Sequence, residues 1–88
     1  MIRTKLVELS DTPTQIDWMD EVDRPVSIVI QNLADEGYVY LGTSSVSTSN
    51  FGIRIPPEGT FDIDLLEDNL YAATNGESIT VSVMSLDI

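Results

Sequence analysis

The feature that most constrains this chain is a two-residue alternation of apolar and polar side chains, repeated in short runs that turn residues interrupt. Val26-Ser27-Ile28-Val29-Ile30-Gln31 carries it, and so do Thr60-Phe61-Asp62-Ile63-Asp64-Leu65 and Ser78-Ile79-Thr80-Val81-Ser82-Val83. Period two sends alternate side chains to opposite faces of a strand, whereas an amphipathic helix needs apolar residues at i, i+3, i+4 and i+7, a spacing that is weak throughout. Each such strand has one dry face that must be covered. Seven or eight short strands are predicted, and two packed antiparallel sheets accommodate them, so the expected fold class is all-β, a small antiparallel β-sandwich with Greek-key or jelly-roll-like topology. At 88 residues the chain has room for one core only.

The punctuation supplies finer expectations. Arg3 to Leu9 reads as a first strand, followed by the Ser10-Asp11-Thr12-Pro13 turn and a second extended stretch from Gln15 to Met19, with Pro13 arguing for a sheet edge. Pro25 fits the start of the strand that holds Val26, Ile28 and Ile30 on one face. The turn composition of Asn32 to Gly37 predicts that Tyr38-Val39-Tyr40-Leu41-Gly42 is the hairpin partner of that strand, with Val39 and Leu41 inward. Thr43 to Asn50 reads as an ordered connection whose hydroxyls satisfy backbone groups. After it Phe51, Ile53 and Ile55 are in phase. Pro56-Pro57-Glu58-Gly59 is the strongest turn signal, and Asn75-Gly76 suits a tight hairpin between Leu70-Tyr71-Ala72-Ala73 and the last strand. The expected core is Ile28, Ile30, Val39, Leu41, Phe61, Ile63, Ile79, Val81 and Val83. An 88-residue domain buries only about 60 to 65% of its unfolded surface, which favours oligomerisation.

Composition enters through what it closes off. Cysteine and histidine are both absent, which removes disulfides, Zn-thiolate sites, Cys nucleophiles and imidazole bases. Fifteen acids against four bases give a net charge of -11, which repels phosphate backbones and anionic lipid, so neither nucleic acid nor membrane is expected as a partner. The N-terminal residues reach Glu8 and Asp11 before any apolar stretch of signal-peptide length, and no run approaches the roughly 18 residues that span a bilayer, so a soluble chain is expected.

Carboxylates are the plentiful reactive groups. Asp62 and Asp64 would project from one strand face about 6.5 to 7 Å apart, within the loose range for paired acids in glycoside hydrolysis. Their alternation with Phe61, Ile63 and Leu65 is that of the solvent side of an amphipathic strand, and this reading is preferred. That pair, or the set Asp17, Asp20, Glu21 and Asp23, suits a hard cation in residue type, yet neither follows the Asp-x-Asp-x-Asp-Gly loop with a distal Glu. The serines and threonines from Thr43 to Ser49 lack an activating base, and Gly42, Gly52 and Gly59 are too dispersed to cradle a phosphate. No catalytic residue, cofactor site or metal site is assigned, and the chain is not expected to be an enzyme. Tyr38 and Tyr40 alternate out of phase with Val39 and Leu41, so they face outward, and Trp18 lies in an acidic segment. Exposed aromatics suit a protein interface or, less well, a stacked sugar ring; equally, Trp18 could close an open end of the sandwich while the tyrosines cover an edge.

From Val39 onward the chain resembles small β-rich virion proteins of tailed bacteriophages, the head-decoration and head-fibre-base type. Tyr40-Leu41-Gly42-Thr43-Ser44-Ser45-Val46-Ser47-Thr48-Ser49-Asn50-Phe51-Gly52 is similar to their Tyr-Leu-Gly and Val-Ser/Thr-Thr-Ser-Asn-x-Gly pattern. Ile55-Pro56-Pro57-Glu58-Gly59-Thr60-Phe61 and Asp68-Asn69-Leu70-Tyr71-Ala72 resemble the Pro-x-Gly turn and Leu-Tyr-Ala strand that follow. With the strand from Val26 to Leu33, the likeness covers about two thirds of the chain, and its motifs are structural and of moderate specificity.

The resemblance implies a non-enzymatic capsid decoration or cement protein, made in the host cytoplasm and resident on the capsid surface of the virion. Its implied partners are the major capsid protein or another virion protein, and further copies of itself in a homotrimer at a local three-fold site. Residues 25–88 would be the β-sandwich domain. Residues 1–24, which match nothing in that family, would be an N-terminal strand or arm, exchanged between subunits or bound to the shell through Leu6, Val7 and Leu9, with Trp18, Tyr38 and Tyr40 as further interface residues. The alternatives are a neck or tail accessory protein, or a carbohydrate-binding host-adhesion module using Trp18 and the tyrosines. A small hydrolase using acidic pairs is a third class, against which the lack of His and Cys weighs.

Overall fold

The computed structural model describes residues 2–18, 25–66 and 68–86, apart from the side chains of Leu65 and Leu66. Eight strands occupy these residues: β1 (Ile2–Leu9), β2 (Thr14–Gln15), β3 (Val26–Asn32), β4 (Val39–Gly42), β5 (Ile53–Ile55), β6 (Thr60–Leu66), β7 (Tyr71–Ala73) and β8 (Ile79–Leu86). They form two antiparallel sheets of four, in the orders β1-β8-β3-β6 and β2-β7-β4-β5. The order has a simple origin. Strands pair as β4·β5, β3·β6, β2·β7 and β1·β8, as though one long hairpin had been wound so that successive pairs fall in alternate sheets. The contacts β3·β8 and β4·β7 then close each sheet. This is the jelly-roll form of the all-β sandwich.

The pivot of the wound hairpin, between β4 and β5, is the Ser/Thr-rich connection. The hydroxyls there do bind backbone: the Ser45 N–H donates to Thr43 Oγ1 at 3.3 Å and the Ser49 N–H to Ser47 Oγ at 3.2 Å, while Ser47 and Asn50 exchange main-chain hydrogen bonds at 2.9 and 3.2 Å. Val46 is its one buried side chain, seated where a side chain on Gly42 would otherwise stand, since a Cβ there would lie 3.3 Å from Val46 Cγ2.

Two expected hairpins are corrected. β4 does not pair with β3, because β3 is an interior strand with both neighbours taken, β8 and β6, and the chain after Asn32 crosses to the other sheet. Asn75-Gly76 does turn, with Gly76 at φ 92, but it joins β7 to β8 across the sandwich and not within a sheet. Alternation identifies which face of a strand is dry and not which strand lies beside it. The second extended stretch is shorter than expected: β2 ends at Gln15, and Met19 lies outside the described residues. Pro13 immediately precedes this edge strand, as its lack of a donor favours.

The core lies between the inner faces. Of the nine residues expected there, Ile28, Ile30, Val39, Leu41, Ile79, Val81 and Val83 are buried together. Phe61 and Ile63 are only partly buried, because β6 is an edge strand and the sandwich closes less fully over it. Leu9, Ile16, Ile55, Leu70 and Ala72 complete the cluster. Residues 1–24, read from the sequence as a strand or an arm, supply β1 to one sheet and β2 to the other, and β1 pairs with β8 along all eight of its residues.

Candidate interaction surfaces

The outer face of the second sheet gathers aromatic side chains around one cation. Strand alternation sends Tyr40 outward between the buried Val39 and Leu41, and sends Arg54 outward between Ile53 and Ile55; the register sets the two directly opposite. Arg54 Cζ stands 4.7 Å from the centroid of the Tyr38 ring. The Phe51 ring lies 5.0 Å from that of Tyr40, tilted by 45°. Tyr38 and Phe51 are exposed at 41% and 42%. Aromatics held against each other, with an arginine stacked among them, are the side chains that most often carry the energy of a protein–protein contact.

Tyr38 and Tyr40 therefore face outward as their phase predicts, and Phe51 and Arg54 are additions to the surface. Phe51 had been in phase with Ile53 and Ile55; the structure turns it out onto Tyr40 because the chain bends at Gly52 and β5 begins only at Ile53, with the Gly52 N–H donating to the Leu41 carbonyl at 2.8 Å. The polar phase of Arg54 was legible, but its place opposite Tyr40 depends on the β4·β5 register.

The other candidate residues lie elsewhere. On β1 the odd-numbered side chains face the core: Leu9 is buried, Val7 packs against the core from a half-buried position, and only Leu6 points outward, at 69% exposure. Leu6, Val29, Ser82 and Met84 line a shallow groove of about 400 Å³ across the outer face of the first sheet. Trp18 packs against the core, and Lys5 Nζ sits 4.4 Å above the centre of its ring while donating to the Asp17 carbonyl at 3.3 Å. Trp18 thus packs against the core, whereas the tyrosines lie on the outer face of the second sheet, so the six residues do not form one surface.

The acidic residues behave as surface or as structural acceptors. Asp62 and Asp64 are exposed on β6, where Asp64 accepts a hydrogen bond from Ser27 Oγ at 3.1 Å. Asp17 is buried at 5% exposure, its carboxylate accepting the Leu70 N–H and, at 3.2 Å, Gln15 Nε2. Asp20, Glu21 and Asp23 lie outside the described residues. Among the described residues no group of three or more Asp or Glu is placed to hold a metal ion, and no helix is long and apolar enough to cross a membrane. A polar hollow of about 250 Å³ lies between Asp11, Thr48 and the Asn75-Gly76 turn, with no aromatic ring on its wall. No protein-family model matches the chain, and no curated protein matches it.

Proposed function

We propose that the chain is a non-enzymatic structural protein of a tailed-bacteriophage virion, a decoration or cement protein that docks on the assembled head, as a trimer at three-fold positions, through the outer face of its second sheet. The observation that carries this reading is a coincidence of two patterns. The segments that resemble small virion proteins, residues 26–33, 40–52, 55–61 and 68–72, supply β3 and the start of β6 in the first sheet and most of β4, its loop, the end of β5 and part of β7 in the second, and residues 40–52 hold Tyr40 and Phe51 of the aromatic face. An aromatic and arginine surface on a rigid sheet gives a large contact area at small cost in side-chain entropy, which suits a protein whose task is adhesion to another protein. Jelly-roll sandwiches recur in capsid and lectin domains alike, so the architecture alone favours neither. Arg54 lying over one face of Tyr38 favours a protein partner over a stacked sugar. Mass spectrometry and cryo-EM of purified particles test the reading: the chain is expected in stoichiometric amount as density on the outside of the head, and its absence from purified particles would overturn it.

A further inference from the structure

We propose that the outer edge of β1 is a strand-addition site for β1 of a second copy of the chain, joining two four-stranded sheets into one of eight about a two-fold axis. Sheet edges differ sharply in what they offer. β2 and β5, the edges of the second sheet, have two and three residues, whereas β1 and β6 have eight and seven. Among the described residues no strand covers the outer edge of β1. A row of main-chain N–H and C=O groups of that length is a template for another strand. β6 carries Asp62 and Asp64 outward, so two β6 edges would bring like charges together. β1 holds two bases, Arg3 and Lys5, and one acid, Glu8, a net +1 in a chain of net charge -11. It is the long edge at which two copies approach without setting acid against acid.

The sequence of β1 also selects a register. In a two-fold antiparallel pair, residue i opposes j and j opposes i, and opposed side chains share a face. A pairing centred on Thr4 sets Arg3 against Lys5 of the second copy, and one centred on Lys5 sets Lys5 against itself. One centred on Val7 sets Leu6 against Glu8. The pairing centred on Leu6 sets Leu6 against its own copy, Thr4 against Glu8, Lys5 against Val7 and Arg3 against Leu9. No cation then opposes a cation directly. The pairing also covers Leu6, the most exposed of the large apolar side chains among the described residues, and continues the groove formed with Val29 and Met84 across the axis. A two-fold contact cannot itself close a three-fold ring, so the inference stands apart from the trimer of the preceding section and is read in the free protein.

The chain has no cysteine, which makes Leu6→Cys a single reporter. Opposed Cα atoms about 4.5 to 5.5 Å apart fall within the span of about 4.4 to 6.8 Å that a disulfide bridges. Under mild oxidation Leu6→Cys is expected to give a covalent dimer, while Leu33→Cys, also exposed but off the β1 edge, is not. Sedimentation of the wild-type chain from micromolar to millimolar concentration should show a monomer–dimer equilibrium, with Leu6→Lys raising Kd by at least about tenfold. Circular dichroism establishes that the variants are folded. The proposal is overturned by a wild-type monomer at millimolar concentration, by a dimer that Leu6→Lys leaves unchanged, by a trimer in which Leu6→Cys forms no cross-link, or by equal cross-linking of Leu6→Cys and Leu33→Cys.

Discussion

The Asp17 carboxylate accepts the main-chain N–H of Leu70, tying the residues after β2 to the entry of β7 across a sequence separation of 53. Leu70 is held from both sides, since its carbonyl also accepts the Ile16 N–H at 3.0 Å. A hydrogen bond to an ionised acceptor contributes about 1.5 to 3 kcal/mol, and removing the acceptor strands a buried donor. Asp17→Ala should therefore lower stability by about 2 to 3 kcal/mol, and Asp17→Asn by less, because an amide oxygen can still accept. Urea denaturation checks this: the midpoint should fall with the slope unchanged.

Asn32 is a second buried polar hinge. Its Nδ2 lies within 3.3 Å of the carbonyls of Gly37, Ile55 and Pro56, and its Oδ1 accepts the Ala34 N–H at 3.0 Å. One side chain thus fastens the β3-to-β4 crossover to the end of β5. Asn32→Ala should cost about 2 to 4 kcal/mol and Asn32→Asp nearly as much, since a carboxylate offers no donor to three carbonyls. Equal denaturation midpoints for wild type and Asn32→Asp would refute this account.

These two residues show where the sequence stopped being legible. Strand phases were readable because each depends on a few neighbouring residues, which is why the inward faces of β3, β4 and β8 and the outward Tyr38 and Tyr40 agree with the structure. Partners were not readable. Whether Val39 sits beside Ile30 or across the core from it depends on pairings such as β1·β8, for which the local pattern carries no information. Asn32 had the composition of a turn and Asp17 lay in the second extended stretch among residues that suit a hard cation, and both are buried because distant backbone groups need them. Phe51 and Arg54 joined the aromatic surface for the same reason, through a register that brings β5 beside β4.

The turn after β5 stores a small strain. Glu58 has φ 61, in the left-handed region, and a Cβ on Gly59 would come 2.9 Å from the Pro56 ring. Glu58→Gly should raise stability by up to about 1 kcal/mol, the relief of an L-residue's left-handed conformation offset by the greater freedom of glycine in the unfolded chain. Gly59→Ala should lower it. Thermal melts of the two variants should move in opposite directions.

On the proposed docking face, Tyr40→Ala and Arg54→Ala should each weaken affinity for purified heads at least about fivefold, the effect of removing a residue worth more than about 1 kcal/mol at the centre of an interface. Thr43→Ala, on the exposed loop beside that face, serves as the control with unchanged occupancy. Particle binding followed by quantitative mass spectrometry reads the difference.

Deleting residues 1–12 removes Leu9 from the core and uncovers the whole length of β8. Loss of one buried leucine costs about 2 to 5 kcal/mol, a large part of the roughly 5 to 15 kcal/mol that stabilises a domain. The truncated chain should lose its cooperative unfolding transition by circular dichroism. An unchanged midpoint would mean that β1 is an appendage to the sandwich and not a part of it.

The wound-hairpin path carries a consequence for how the molecule is made. β4·β5 is the one pairing between strands adjacent in the chain, and each further pair out, β3·β6, β2·β7 and β1·β8, spans a longer intervening loop. β1 is thus among the last strands to find its partner, because β8 follows the other seven in the chain. Until then Ile2, Leu6, Val7 and Leu9 travel as an unpaired apolar ribbon, and closure must wait for loop entropy to be overcome at the largest sequence separation in the fold. Emergence of β8 is therefore the step at which a nascent chain commits either to pairing β1 with its own β8 or to lending it to a neighbour.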